Sequence, residues 1–119
     1  MTAAKAQPSS DLQPDSTQIQ LRKGVLELLV LALLAERDSY AYEIASRLAH
    51  GIGMGEGTIY PLMRRIEKAG LVATYLVQSD AGPARKYYRL TKSGRAEYAK
   101  QRAEWIGFAR DVAAILGER

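Results

Sequence analysis

Apolar positions along the chain form helix-like blocks and two short runs with a strand bias. From Gln18 to Glu36 the pattern predicts a helix, apolar on every side between Gly24 and Ala35 except at Glu27. A helix without a polar face belongs at the centre of a core. Arg37-Asp38-Ser39 ends it, and Asp38 or Ser39 can cap the free amides of the helix that follows. That helix, Tyr40 to His50, carries Ala41, Ile44, Ala45 and Leu48 at i, i+3, i+4, i+7, one stripe of an amphipathic helix. Gly51, Gly53, Gly55 and Gly57 then alternate, a spacing that costs a helix about 1 kcal/mol per glycine and so predicts a loop.

A third helix is expected from Glu56 to Ala69, with Ile59, Leu62, Met63 and Ile66 inward and Gly70 as its left-handed stop. Pro61 presses on the carbonyl of Gly57, which predicts a bent or loosened first turn. Leu71–Val77 and Arg85–Leu90 read as strands, joined by the turn-rich tip Gln78 to Ala84. Thr91 caps a last helix, Lys92 to Leu116, about 37 Å long at 1.5 Å per residue. Met1 to Thr17, with Pro8, Ser9, Ser10 and Pro14 and no apolar period, reads as a disordered arm. The fold class is therefore mainly α with a small β-hairpin (α+β). Three helices and a hairpin give a winged helix-turn-helix over residues 18–91, followed by a long C-terminal helix over 92–119.

At 119 residues the chain holds one small domain with an arm. Its net charge of +4 and pI near 9.5 favour an anionic partner, nucleic acid first. Cysteine is absent and His50 is the single histidine, so a metal site is not expected, nor any other cofactor. His50 reads as a residue near the negative end of its helix. The apolar run Val25 to Ala35 is shorter than the roughly 20 residues a membrane span needs, and it lacks a cleavage site, so a soluble cytoplasmic protein is expected. The glycine-rich loop matches neither GxxxxGK[ST] nor GxGxxG, which argues against a nucleotide cradle.

With its apolar stripe inward, the third helix exposes Thr58, Tyr60, Pro61, Arg64, Arg65 and Lys68. Its first amides, from Gly57 and Thr58 on, can hold a phosphate. Arg64 or Arg65 can read a guanine through two hydrogen bonds or bind a phosphate. Any amphipathic helix has a charged outer face, and the basic hairpin beside this one shifts the balance toward DNA. Strand alternation separates Arg85, Tyr87 and Arg89 from Lys86, Tyr88 and Leu90, with Tyr88 packing inward. Arg85 and Lys86, nearest the tip, are the backbone-contact candidates. Arg89, Lys92 and Arg95 are equally well ordinary surface charges. Of Tyr40 and Tyr42, at least one ring should pack against the third helix and the other can place its hydroxyl on a phosphate.

Gly57-Thr58-Ile59-Tyr60-Pro61, Arg65-Ile66-Glu67-Lys68-Ala69-Gly70-Leu71 and Arg85-Lys86-Tyr87-Tyr88-Arg89-Leu90-Thr91 with Gly94 together resemble the PadR family of transcriptional regulators. The match covers about residues 21 to 105. The resemblance implies a bacterial winged-helix repressor that acts as a homodimer through its C-terminal helix. Where the family often has serine and proline before Gly57, this chain has Gly55 and Glu56, which puts an acid near the DNA-facing end. Ala41 before Tyr42-Glu43 keeps the family's small residue there.

Trp105, Phe108, Val112, Ile115 and Leu116 make the last helix strongly apolar where it outreaches the core, so a dimer interface is expected there. Trp105 also resembles the tryptophan that lines an aromatic effector pocket in multidrug-responsive members of the family. Trp105 and Phe108 would then bind a planar apolar molecule; the alternative is that both only fill the dimer core. The expected function is a homodimeric repressor on double-stranded promoter DNA, released by a small-molecule effector. The rivals are a protein-interaction module without DNA binding and a small enzyme. No catalytic motif such as GxSxG supports the enzyme.

Overall fold

The computed structural model describes residues 16–54 and 56–117. Helix α1 (Ser16–Glu36) leads into a two-residue strand β1 (Ser39–Tyr40), then α2 (Ala41–Ile52) and α3 (Glu56–Lys68). Strands β2 (Val72–Ser79) and β3 (Gly82–Leu90) form the hairpin, and α4 (Lys92–Leu116) closes the chain. Apart from β1, this is the expected order, and the α+β class with its winged helix holds. The expected arm, Met1 to Thr17, lies outside the described residues up to residue 15, while Ser16 and Thr17 already belong to α1.

The core gathers the stripes the periodicity marks out. Val30, Leu31 and Leu34 of α1 are buried, as are Ile44, Ala45 and Leu48 of α2. Ile59, Leu62, Met63 and Ile66 of α3 complete it, with Val72, Tyr88 and Leu90 from the hairpin. Each large aliphatic side chain so buried contributes roughly 1.5–3 kcal/mol before entropy is subtracted. The α3 stripe thus fixes the helix's rotation, and with it the residues that α3 shows to solvent.

Local differences from the sequence expectations have simple causes. Neither Asp38 nor Ser39 caps α2; its N-cap is Tyr40, with no side-chain bond. Pairing of Ser39 with Tyr88 and of Tyr40 with Tyr87 draws this segment into the sheet, in the strand order β1-β3-β2. Ser39 Oγ instead donates to the Arg37 carbonyl at 3.5 Å, and Asp38 accepts from the Tyr75 hydroxyl at 2.6 Å.

The glycine-rich segment is less of a loop than its spacing predicts. Gly51 lies in α2 and Gly57 in α3, and the chain turns at Gly53, whose φ of 73° is left-handed. Pro61 sits inside α3, which is continuous through it. Pro61 has no N–H to offer the Gly57 carbonyl, and Gly57 is an exposed residue without a side chain for the ring to meet. The hairpin strands run further toward the tip than expected, leaving Asp80-Ala81 as the turn. Pro83 falls in the register irregularity beyond Val77, where a missing N–H costs no ladder bond.

At the far end of α3 the Gly70 amide donates to the Glu67 carbonyl and the Leu71 amide to that of Ile66, both at 3.0 Å. This is a Schellman stop, made possible by φ 78° at Gly70. Thr91 caps α4 as expected, its Oγ1 accepting from the Gly94 amide at 3.0 Å.

Candidate nucleic-acid interface

The outward side of α3 divides into three strips. Opposite the buried stripe lie Gly57, Pro61, Arg64 and Lys68, all exposed. On one flank Thr58 and Arg65 face α1; on the other lie Tyr60 and, two turns on, Glu67, which meets the hairpin at Lys86. Half-burial of Thr58, Tyr60 and Glu67 agrees with that division. Among the described residues Arg64 and Lys68 are exposed and make no ion pair.

The flanking cations are engaged. Arg65 Nη2 donates to Glu27 Oε1 of α1 at 3.0 Å. Lys86 Nζ donates to Glu67 Oε1 at 3.1 Å, which ties the hairpin to α3 and raises the lysine pKa above its ordinary value. The cations of both pairs are substantially exposed, although Glu27 itself is partly buried, so each pair contributes on the order of 1 kcal/mol and both cations can exchange partners. The structure therefore brings Thr58, Tyr60, Pro61, Arg64, Arg65, Lys68 and Lys86 to one region.

Arg85 is not gathered with Lys86. Strand alternation sends it to the opposite face of the hairpin, where its guanidinium lies 4.5 Å from the Tyr40 ring centre. The same face carries a row of rings that the sequence reading missed. Tyr40, Tyr87 and Tyr75 stand side by side across β1, β3 and β2, with ring centres 5.4 and 5.7 Å apart. Arg89 lies over Tyr75 at the far end. Tyr40 accordingly packs on the sheet rather than on α3, and Tyr42 stands exposed on the first turn of α2. The missed signal was the short strand: once Tyr40 pairs with Tyr87, the ring row follows from the register.

His50 lies exposed in the last turn of α2, its Nδ1 2.8 Å from the Ser46 carbonyl oxygen. Among the described residues no group of acidic, His or Cys side chains could hold a metal ion, and no helix is long and apolar enough to cross a membrane.

On α4, Trp105, Phe108, Val112, Ile115 and Leu116 fall within one stripe and are exposed, Phe108 at 64% and Ile115 at 87%. Beside the stripe, a groove of about 390 Å³ opens between α1 and α4. Leu28, Trp105 and Phe108 supply its apolar lining, and Glu97, Gln101 and Glu104 its polar lining.

Comparison with known proteins points the same way. The sequence pattern described as the transcriptional regulator PadR-like family matches residues 30–100. A transcriptional regulator of Mycobacterium tuberculosis is 30% identical over 94 residues, spanning 78% of this chain and 87% of that protein. A PadR-like transcriptional regulator from Bacillus cereus shares the fold with a TM-score of 0.76 at 33% identity, covering 84% of this chain and 99% of that one. A PadR family transcriptional regulator from Eggerthella lenta gives 0.72 at 35% identity, over 92% of this chain and 94% of its own.

Proposed function

The chain belongs to the PadR-like family of transcriptional regulators and is a DNA-binding regulator rather than an enzyme, and from that premise we propose that it represses promoters as a cytoplasmic homodimer. Helix α3 enters the major groove, with Arg64 and Lys68 foremost and Thr58, Tyr60 and the α3 amides from Gly57 on beside the backbone. Pro61 packs against the groove wall, and Arg65 and Lys86 take flanking phosphates. Arg85, with Tyr40 beneath it, meets a phosphate from the hairpin's other face, and Tyr42 offers its hydroxyl from α2.

The observation that carries this reading is the outward strip of α3. Its rotation is fixed by four buried side chains, and the strip ends in two cations that nothing in the described chain neutralises. Residues 18–91 form the reading head and 92–119 the dimer arm. The exposed stripe Trp105 to Leu116 supports pairing with a second copy, because an apolar surface of that extent is costly in water. A twofold pair would present two α3 helices to half-sites about 34 Å apart.

A planar apolar effector in the groove beside Trp105 and Phe108 would release DNA if it favours a different spacing of the two heads. Glu97 and Glu104 in the lining make charged and uncharged planar compounds the informative pair to titrate against Trp105 fluorescence. The interaction-module alternative keeps the α4 stripe and dispenses with the α3 strip. A gel shift on DNA captured by the purified protein separates the two. Wild-type protein should retard it, and Arg64→Ala should weaken binding by about 1–3 kcal/mol if a guanine is read. No shift with wild type would sink the reading.

A further inference from the structure

Glu27 is the one charged residue in the apolar stretch of α1 from Gly24 to Ala35. Its side chain is only 26% exposed, so it needs partners to offset lost hydration. Neither partner lies on α1. Arg65 Nη2 of α3 donates to Oε1 at 3.0 Å, and Gln101 Nε2 of α4 donates to Oε2 at 2.7 Å. The Gln101 nitrogen also donates to Glu97 Oε2 at 2.8 Å, which steadies the amide. One carboxylate thus joins three helices, and the bond from α4 keeps its other oxygen aimed at α3.

Arg65 is held by one edge only, since its side chain remains 67% exposed. A cavity of about 320 Å³ lies between α1 and α3, and Glu27, Arg65, Thr58 and Pro61 are among its lining residues. A phosphate arriving on this flank and the Glu27 carboxylate are rival anions for the same guanidinium. Lys68 and Arg64 have no such rival among the described residues.

We propose that Glu27 is a positioning residue that holds Arg65 on the α1 flank of α3 and so limits how far Arg65 engages a DNA phosphate. The inference rests on the reading of α3 as the recognition helix. The pair holds Arg65 near the DNA while charging each phosphate contact with the loss of an existing partner. DNA affinity is then set below what the cation count alone would give. Gln101 lines the groove beside Trp105, so the restraint is anchored where the effector is proposed to bind.

The test uses the full chain and a duplex selected by the wild-type protein from a random pool. Binding is measured against salt for wild type, Glu27→Gln, Arg65→Gln and the double variant. Glu27→Gln should bind more tightly, and its plot of log K against log salt should steepen by about 0.9 for each protomer whose Arg65 gains a phosphate. In the Arg65→Gln background, Glu27→Gln should change neither affinity nor slope. Glu27→Leu, which continues the apolar run, should repeat the Glu27→Gln result if glutamine keeps a residual bond. An unchanged slope in both Glu27 variants overturns the proposal. So does a gain that persists without Arg65, because that is a general field effect. If Arg64→Ala and Lys86→Ala both leave wild-type affinity intact, the recognition-helix reading fails. If those variants weaken binding while Glu27 variants do nothing, only the positioning role is lost.

Discussion

A single methyl group added at Gly94 should unseat α4 from the reading head. Gly94 is the third residue of α4 and is buried. It lies at the joint where the Thr91 amide donates to the Leu71 carbonyl at 3.1 Å and Thr91 Oγ1 donates to the Gly70 carbonyl at 2.7 Å. A Cβ at position 94 would overlap the Leu71 carbonyl oxygen and stand 3.0 Å from the Leu71 carbonyl carbon and 3.1 Å from Leu90 Cδ2. Two of those atoms are the Leu71 carbonyl, fixed by the Thr91 amide and by the Schellman bond at the Leu71 amide, and cannot swing aside. The first turn of α4 must lift, which strains or breaks the cap. Overpacking of this kind costs about 1–3 kcal/mol and a lost cap about 0.5–2 kcal/mol, so a total near 3 kcal/mol is expected. For a chain of this size that corresponds to a fall in Tm of about 10 °C.

Gly107→Ala is the matching control. It lies further along the same helix, and a Cβ there meets nothing within 4 Å. Removing a helix-interior glycine should raise stability by about 0.5–1 kcal/mol. Thermal melts followed by circular dichroism, at equal protein concentration because dimerisation shifts Tm, should move the two variants in opposite directions. A Gly94→Ala melt within about 2 °C of wild type would refute the packing argument.

Phe108→Lys places a charge in the exposed α4 stripe and should convert a dimer to a monomer in light scattering; a dimer that survives argues for another interface. Lys86→Ala breaks an exposed pair with Glu67, so stability should change by less than about 1 kcal/mol. The same variant should lower the salt slope of DNA binding by about 1, and an unaltered slope removes the hairpin phosphate contact. Arg37 Nη2 donates to Glu43 Oε2 at 2.8 Å and holds the Glu43 carboxyl below its ordinary value of 4.5. The folded value lies below the unfolded one, so this stabilisation is present above the ordinary value and is lost as pH falls through the lowered one. Glu43→Gln should therefore flatten the acid side of a plot of urea midpoint against pH, and an identical acid limb would contradict the pairing.

Much of the reading head was legible because its signals are local. The α3 stripe follows from i, i+3, i+4, i+7 spacing, the stop at Gly70 from a missing Cβ, and the Thr91 cap from one hydroxyl beside a helix start. Pairing across the fold was not legible. Ser39 and Tyr40 carry no strand signal of their own and become a strand only because β3 offers a free edge. Their capture explains why the expected caps at Asp38 and Ser39 went elsewhere and why Tyr40 meets Tyr87 rather than α3. The Arg65–Glu27 pair spans 38 positions and no spacing rule reveals it. Strand alternation did separate Arg85 from Lys86. The ribbon has two faces, and only Lys86 shares one with α3.

The strip Gly57–Pro61–Arg64–Lys68 as a major-groove reader, present twice by symmetry, is tested most directly by a hydroxyl-radical footprint on the selected duplex. Two protected half-sites centred about 34 Å apart, or a whole number of helical turns apart, are predicted, with protection lost in Arg64→Ala. A single protected stretch, or a footprint that Arg64→Ala leaves intact, would contradict it.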